Sequence, residues 1–107
     1  MGIDDTWIFQ DHTGRNIRLT QERHDHLLEH PEMSGQVTRI QETLENPQII
    51  VATVADQTVH VYHRHYASTP VTSKYLLVAI KIEFDDAFVL TAFFSSRQKK
   101  GVTVWKA

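Results

Sequence analysis

Cysteine is absent from this chain of 107 residues. That excludes a disulfide framework, a zinc–thiolate site and a thiol nucleophile. Proline occurs three times and glycine four, and neither clusters into a linker or a low-complexity tract. No window approaches the roughly 18 apolar residues of a membrane span. Charge is also unremarkable: the net value is −2 with histidines neutral. The chain therefore lacks the globally basic footprint of a general nucleic-acid binder, and any phosphate contact must come from a local patch. Met1-Gly2-Ile3-Asp4-Asp5 is acidic and has no apolar run, which argues against a signal peptide. The expected location is the cytoplasm, and the expected organisation is one domain over residues 1–107.

What the chain has in quantity is histidine, seven in all, so full protonation would move the net charge from −2 to +5. Three of them lie in Glu22-Arg23-His24-Asp25-His26-Leu27-Leu28-Glu29-His30-Pro31-Glu32. At about 100° per residue, Arg23, His26 and His30 fall within roughly 60° of arc on a helix. Leu27, His24 and Leu28 cover the adjoining arc and are expected to face the core. The Arg/His group then sits at the rim of the buried stripe, held by packing yet open to solvent. Histidine changes charge near neutrality, so such a cluster points to proton transfer or metal binding. A plain solvated helix face is the competing explanation.

Metal ligation fits poorly. His24 and His26 diverge by about 200° on a helix, so only His26 and His30 could share an ion. His60, His63 and His65 alternate between strand faces, and there is no HExxH motif. No metal and no cofactor are expected.

Periodicity divides the chain into a hairpin over 1–19, two helices over 20–46 and an antiparallel sheet over 48–105. Trp7–Gln10 and Asn16–Leu19 flank a glycine turn. Thr20 is the expected cap of a first helix that runs to Pro31, and Ser34 of a second over Gly35–Glu45. Beyond Pro47 the period changes to two. Strands are expected near 48–55, 58–66, 75–84 and 87–95, with Val102–Trp105 adding a last one. The fold class is α+β: two N-terminal helices on one face of a four- to five-stranded antiparallel sheet.

Alternation assigns Leu76, Val78, Ile80, Ile82 and Phe84 to the helix-covered face, with Val59, Val61, Leu90, Ala92 and Phe94. The open face would then present Tyr62, Arg64, Lys81, Thr91 and Ser95 from three neighbouring strands. Two cations, a phenol and two hydroxyls form a candidate anion site. Polar residues on a solvated sheet face are equally the ordinary pattern. Lys81 stands out because it interrupts an apolar run.

With these residues in view, the chain resembles the phage-associated nuclease domains of the barnase–EndoU–colicin–RelE group. The matching segments run in order. Leu19-Thr20-x-Glu22-Arg23-x2-His26-x3-His30-Pro31-Glu32 resembles the family's helix motif. Ile40-x3-Leu44-x2-Pro47-x2-Ile50 is similar to its second-helix segment. Tyr62-x-Arg64, Val78-x2-Lys81 and Leu90-Thr91-Ala92-Phe93 resemble its strands. His24 departs from the pattern where an aromatic residue is expected, and Phe93 where tyrosine is common.

The resemblance implies a metal-independent RNase-type site of His26, Tyr62, Arg64, Lys81 and Thr91, supported by Arg23, His30 and Ser95. It implies cleavage of RNA through the 2′-hydroxyl by a toxin-type domain, with RNA as substrate and a cognate antitoxin or immunity protein as partner. The alternative is a catalytically degenerate member acting as a protein-interaction module.

Overall fold

The computed structural model describes residues 6–107. The expectations for Met1–Asp5 lie outside the described residues. Two antiparallel strands open the chain, β1 (Thr6–Gln10) and β2 (Asn16–Thr20). Helix α1 (Gln21–Leu27), a 3₁₀ turn (Pro31–Met33) and helix α2 (Val37–Glu45) follow. Five strands complete the chain: β3 (Ile49–Ala52), β4 (Val59–Tyr66), β5 (Lys74–Glu83), β6 (Asp86–Ser95) and β7 (Val102–Lys106).

All seven strands form one sheet in the order β1-β2-β6-β5-β4-β3-β7. The α+β class holds, but the sheet has seven strands where four to five were expected. The helices also sit between strands instead of preceding them. The cause is the N-terminal hairpin. β2 lies parallel to β6, with Arg18 opposite Phe88, which joins the hairpin to the later meander. Every other pairing is antiparallel.

Local chemistry sets the element ends. Thr20 caps α1 as expected, its Oγ1 accepting the Arg23 N–H at 3.2 Å. The helix stops at Leu27, short of Pro31. Proline disfavours helical geometry in the residue before it, and His30 is extended. Leu27 is buried, whereas Leu28 falls in the turn and is 40% exposed, against the expectation that it faces the core. Ser34 caps nothing; α2 starts after Gly35, whose φ of +76° makes the turn, with Gln36 at the cap position. β3 ends at Ala52, earlier than expected, because Thr53 and Asp56 bond to each other across a tight turn. Phe84 lies in the β5–β6 turn, fully exposed, and not on the apolar face.

The main core lies between the helices and one sheet face. It includes Phe9, Ile17, Leu19, Leu27, Ile40, Leu44, Leu76, Val78, Ile80 and Val89. The β4 faces are the reverse of the sequence expectation. Tyr62 is opposite Val78 and Arg64 opposite Leu76, so Tyr62, Arg64 and Tyr66 turn toward the helices. Val61 joins Leu77 and Ala79 in a second apolar cluster on the outer face. A one-residue change of register flips every side chain. Here the two tyrosine rings offer more apolar area than the two valines, and their hydroxyls find inner partners in Asp11 and Glu42.

β6 carries a bulge. Ala79 pairs with Thr91 but Ile80 pairs with Val89, so Leu90 is the extra residue. Val89 therefore enters the core and Leu90 the outer cluster, the opposite of simple alternation.

The sheet curls strongly. β1 and β7 are its two edges, yet the His12 ring just after β1 lies 4.4 Å from the Trp105 ring of β7. The turn at 11–15 thus closes over the open end of the core, fixed by the His12 N–H to the Leu44 carbonyl at 3.0 Å. On the outer face, residues 96–101 cross from β6 to β7. The Lys99 N–H donates to buried His63 Nε2 at 2.9 Å. Gly101 lies so close to β3 that a Cβ there would stand 2.3 Å from the Ala52 oxygen.

Candidate functional site

The expected site residues divide into three places. The first is the exposed side of α1, where Glu22, Arg23, Asp25, His26 and Glu29 line an open pocket of about 370 Å³. His26 Nδ1 lies 2.9 Å from Glu29 Oε2, one helical turn along. The carboxylate orients the ring, and the His26 side chain is 59% exposed. Arg23 forms no ion pair with a described residue. His30 lies beyond the helix end, its Nδ1 3.9 Å from Glu32. His24 turns inward against Trp7, ring centroids 4.6 Å apart, filling the place where an aromatic residue was expected.

The second place is the outer sheet face, which holds Lys81, Thr91 and Ser95. Pairing sets Ile8, Arg18, Phe88, Lys81 and Val59 in one row across five strands. The Arg18 guanidinium stacks 5.0 Å from the Phe88 ring and pairs with Asp86 at 2.7 Å. Its hydrogen bond with Asp86 raises the guanidinium pKa and lowers that of the carboxyl. Lys81 Nζ is held by Asp56 at 2.8 Å and Thr58 at 2.7 Å. The lysine hydrogen bond keeps the Asp56 carboxyl well below the usual range. A pocket of about 360 Å³, lined by Arg18, Thr20, Gln21, Glu22, Arg23 and Phe88, runs between this row and α1. It shares Glu22 and Arg23 with the His26 pocket, so the two surfaces are continuous. Ser95 Oγ closes a local turn with Arg97.

The third place is the inner face, holding Tyr62 and Arg64. This contradicts the expectation that Arg64, Lys81 and Thr91 share a face: the register places Arg64 with the helices and the other two opposite. Arg64 donates to the Asn46 carboxyl-terminal cap oxygen of α2 at 2.9 Å and lies 3.5 Å from Glu42 Oε1. Tyr66, between Arg64 and Arg39, also donates to Glu42. Burial and that hydrogen bond push its phenol up to about 12. The Tyr62 hydroxyl donates to Asp11 Oδ2 at 2.7 Å. Burial, then this bond, raise its pKa far above the normal phenol value. Tyr62 and Arg64 thus hold the α2 end and the 11–15 turn against the sheet.

Residues 2–106 match the family model of phage-Barnase-EndoU-ColicinE5/D-RelE like nuclease2. The chain belongs to this family. Its position in a nuclease-like family is therefore set by nearly the whole chain. No curated protein and no solved structure matches it. No helix among the described residues is long and apolar enough to cross a membrane.

The nuclease family member also has a pocket that sequence reasoning missed. It is lined by Asp11, His12, Thr13, Arg15, Ile50, His60, Tyr62, Val104 and Trp105. Only the Asp11–Gly14 turn was legible locally. The convergence of His12, His60 and Trp105 depends on the curl of the sheet, which no local spacing encodes.

Proposed function

We propose that this family member is a metal-independent, toxin-type ribonuclease that cleaves RNA through its own 2′-hydroxyl. His26 is the acid–base group and Arg23 the phosphate contact. The observation that carries this reading is the His26–Glu29 couple beside the Arg23 guanidinium, which pairs with no described carboxylate, in a pocket continuous with the Arg18–Phe88–Lys81 row. A strand of RNA laid across His26 would run over two further cations and an aromatic ring, which suit phosphates and a base.

In the reaction the 2′-oxygen bonds to the adjacent phosphorus and the P–O5′ bond breaks. A base takes the 2′ proton and an acid protonates the leaving 5′-oxygen. His26 Nε2 suits either transfer, since Glu29 holds Nδ1–H. Arg23 faces the charge that develops on the phosphorane. Tyr62 and Arg64 serve the fold in this reading, while Lys81 and Thr91 lie along the substrate path. A cognate antitoxin or immunity protein would neutralise the enzyme by covering this surface.

The test is cleavage of a mixed RNA by purified protein in EDTA. His26→Ala should lose roughly 10²–10⁴-fold in rate, and Glu29→Gln less. A folded His26→Ala variant cutting at the parental rate overturns the assignment. One observation favours the degenerate alternative: Tyr62, Arg64 and Lys81 are all committed to internal partners. Parent protein that cleaves no RNA, yet binds a partner through α1, would establish that reading.

A further inference from the structure

The pocket under the 11–15 turn lies on the inner face, away from Lys81 and the outer row, and takes no part in the proposed cleavage. Its volume is about 230 Å³, below the roughly 300–1,000 Å³ of drug-sized ligand sites. That suits a phosphate with part of a nucleoside, not an oligonucleotide. Two imidazoles, one guanidinium and an indole line it, together with Tyr62.

The turn is built to hold this shape. Asp11 Oδ1 accepts from Thr13 N at 2.8 Å, Thr13 Oγ1 at 2.6 Å and Arg15 N at 3.0 Å, and Oδ2 accepts from Tyr62. Burial alone would raise the Asp11 carboxyl, but these four bonds together keep it below its ordinary value. Asp11 lines the cavity as well, but both its oxygens are already taken by these four donors. Gly14, at φ +86°, closes the turn so that Arg15 emerges beside His60. His60 is pushed down, first by burial and then by the Arg15 charge. A proton on His60 is thus disfavoured beside the Arg15 guanidinium, and a phosphate touching both groups would favour it. On the other wall His12 leans on Trp105 with ring centroids 4.4 Å apart. Their planes are tilted by 46°, so a flat base can lie against one of the two rings.

We propose that this pocket binds a single phosphorylated nucleoside, with Arg15 and His60 on the phosphate and the tilted His12–Trp105 pair against the base. A planar guanidinium fork fits phosphate oxygens, and the fixed turn avoids the ordering cost of a mobile loop. The site is independent of the cleavage reading, since it shares no residue with the His26 pocket.

Titration with adenosine 3′-monophosphate, followed by histidine ring proton resonances, tests it. The nucleotide should shift the His12 and His60 signals, whether or not it also moves His26, and raise the His60 midpoint. Inorganic phosphate should bind more weakly and adenosine more weakly still. Arg15 is exposed, so Arg15→Gln should fold normally and weaken nucleotide binding tenfold or more, about 1.4 kcal/mol. Lack of any His60 shift at millimolar nucleotide overturns the proposal, as does binding that moves only His26. Unchanged affinity in Arg15→Gln overturns the phosphate contact. Phosphate binding as tightly as the nucleotide overturns the base contact. Each outcome can be read whether or not the protein cleaves RNA.

Discussion

Replacing His63 by leucine should make the protein less stable at neutral pH and less sensitive to acid. His63 is fully buried on β4. Nε2 accepts the Lys99 N–H at 2.9 Å, so the proton sits on Nδ1, 3.2 Å from the Ile49 carbonyl. The ring joins the 96–101 crossover to β3. Leucine fills similar space but leaves the Lys99 N–H without its acceptor, at a cost of about 1–3 kcal/mol. The pH effect has the opposite sign. Burial lowers the His63 pKa below the ordinary 6.5. As pH falls through 6.5 the unfolded chain takes up a proton that the folded chain refuses. Stability is intact above that pH and declines below it, by up to about 1.4 kcal/mol per pH unit until the folded value is reached. His60, also lowered, adds loss of the same sign. Urea unfolding followed by tryptophan fluorescence, from about pH 7.5 to about pH 5, measures both terms. The gap between parent and His63→Leu should narrow as pH falls. Parallel curves over that range would refute the reasoning.

Other substitutions bear on the fold and the site. Leu44→Ala empties a fully buried position under α2 and should cost about 2–5 kcal/mol in denaturant unfolding. Gly101→Ala forces a Cβ to within 2.3 Å of the Ala52 oxygen. It should destabilise by about 1–3 kcal/mol, with loss of hydrogen-exchange protection in β7. Tyr62→Phe strands Asp11 Oδ2 and should increase exchange at Thr13 and Arg15. Lys81→Met breaks the half-buried ion pair with Asp56 and should move the melting temperature by only a few degrees. If it lowers RNA affinity, the loss should shrink as salt rises.

The elements were legible where period and punctuation agreed. Thr20 marked a helix start, Asn46-Pro47 the end of α2, and the period-two run from Ile49 the meander. Faces were harder. In β4, valines at 59 and 61 and tyrosines at 62 and 66 both make apolar sets, and only tertiary partners choose between them. The register chose the tyrosines because Asp11 and Glu42 supply partners for their hydroxyls. The β6 bulge then exchanged Val89 and Leu90, an event that alternation cannot foresee. The parallel β2–β6 contact is a long-range pairing with no local signature, so the seventh-strand count escaped a reading by segments. At the site, Arg23 and His26 lie together as helical spacing implied, and Glu29 is an i, i+3 partner the spacing also allowed. Arg64 was misplaced through the same face reversal as Tyr62.

We propose that His26 carries proton transfer in a 2′-hydroxyl-dependent cleavage. This role is tested most directly by one RNA oligonucleotide and its copy with a single 2′-deoxy position at the cut site. Both are incubated in EDTA with parent protein and with His26→Ala. The parent should cut the RNA, leave a 2′,3′-cyclic phosphate or the 3′-phosphate derived from it, and fail at the deoxy position. His26→Ala should be slower by orders of magnitude on the RNA. Equal cutting of both oligonucleotides, or parental rates from folded His26→Ala, would contradict the claim.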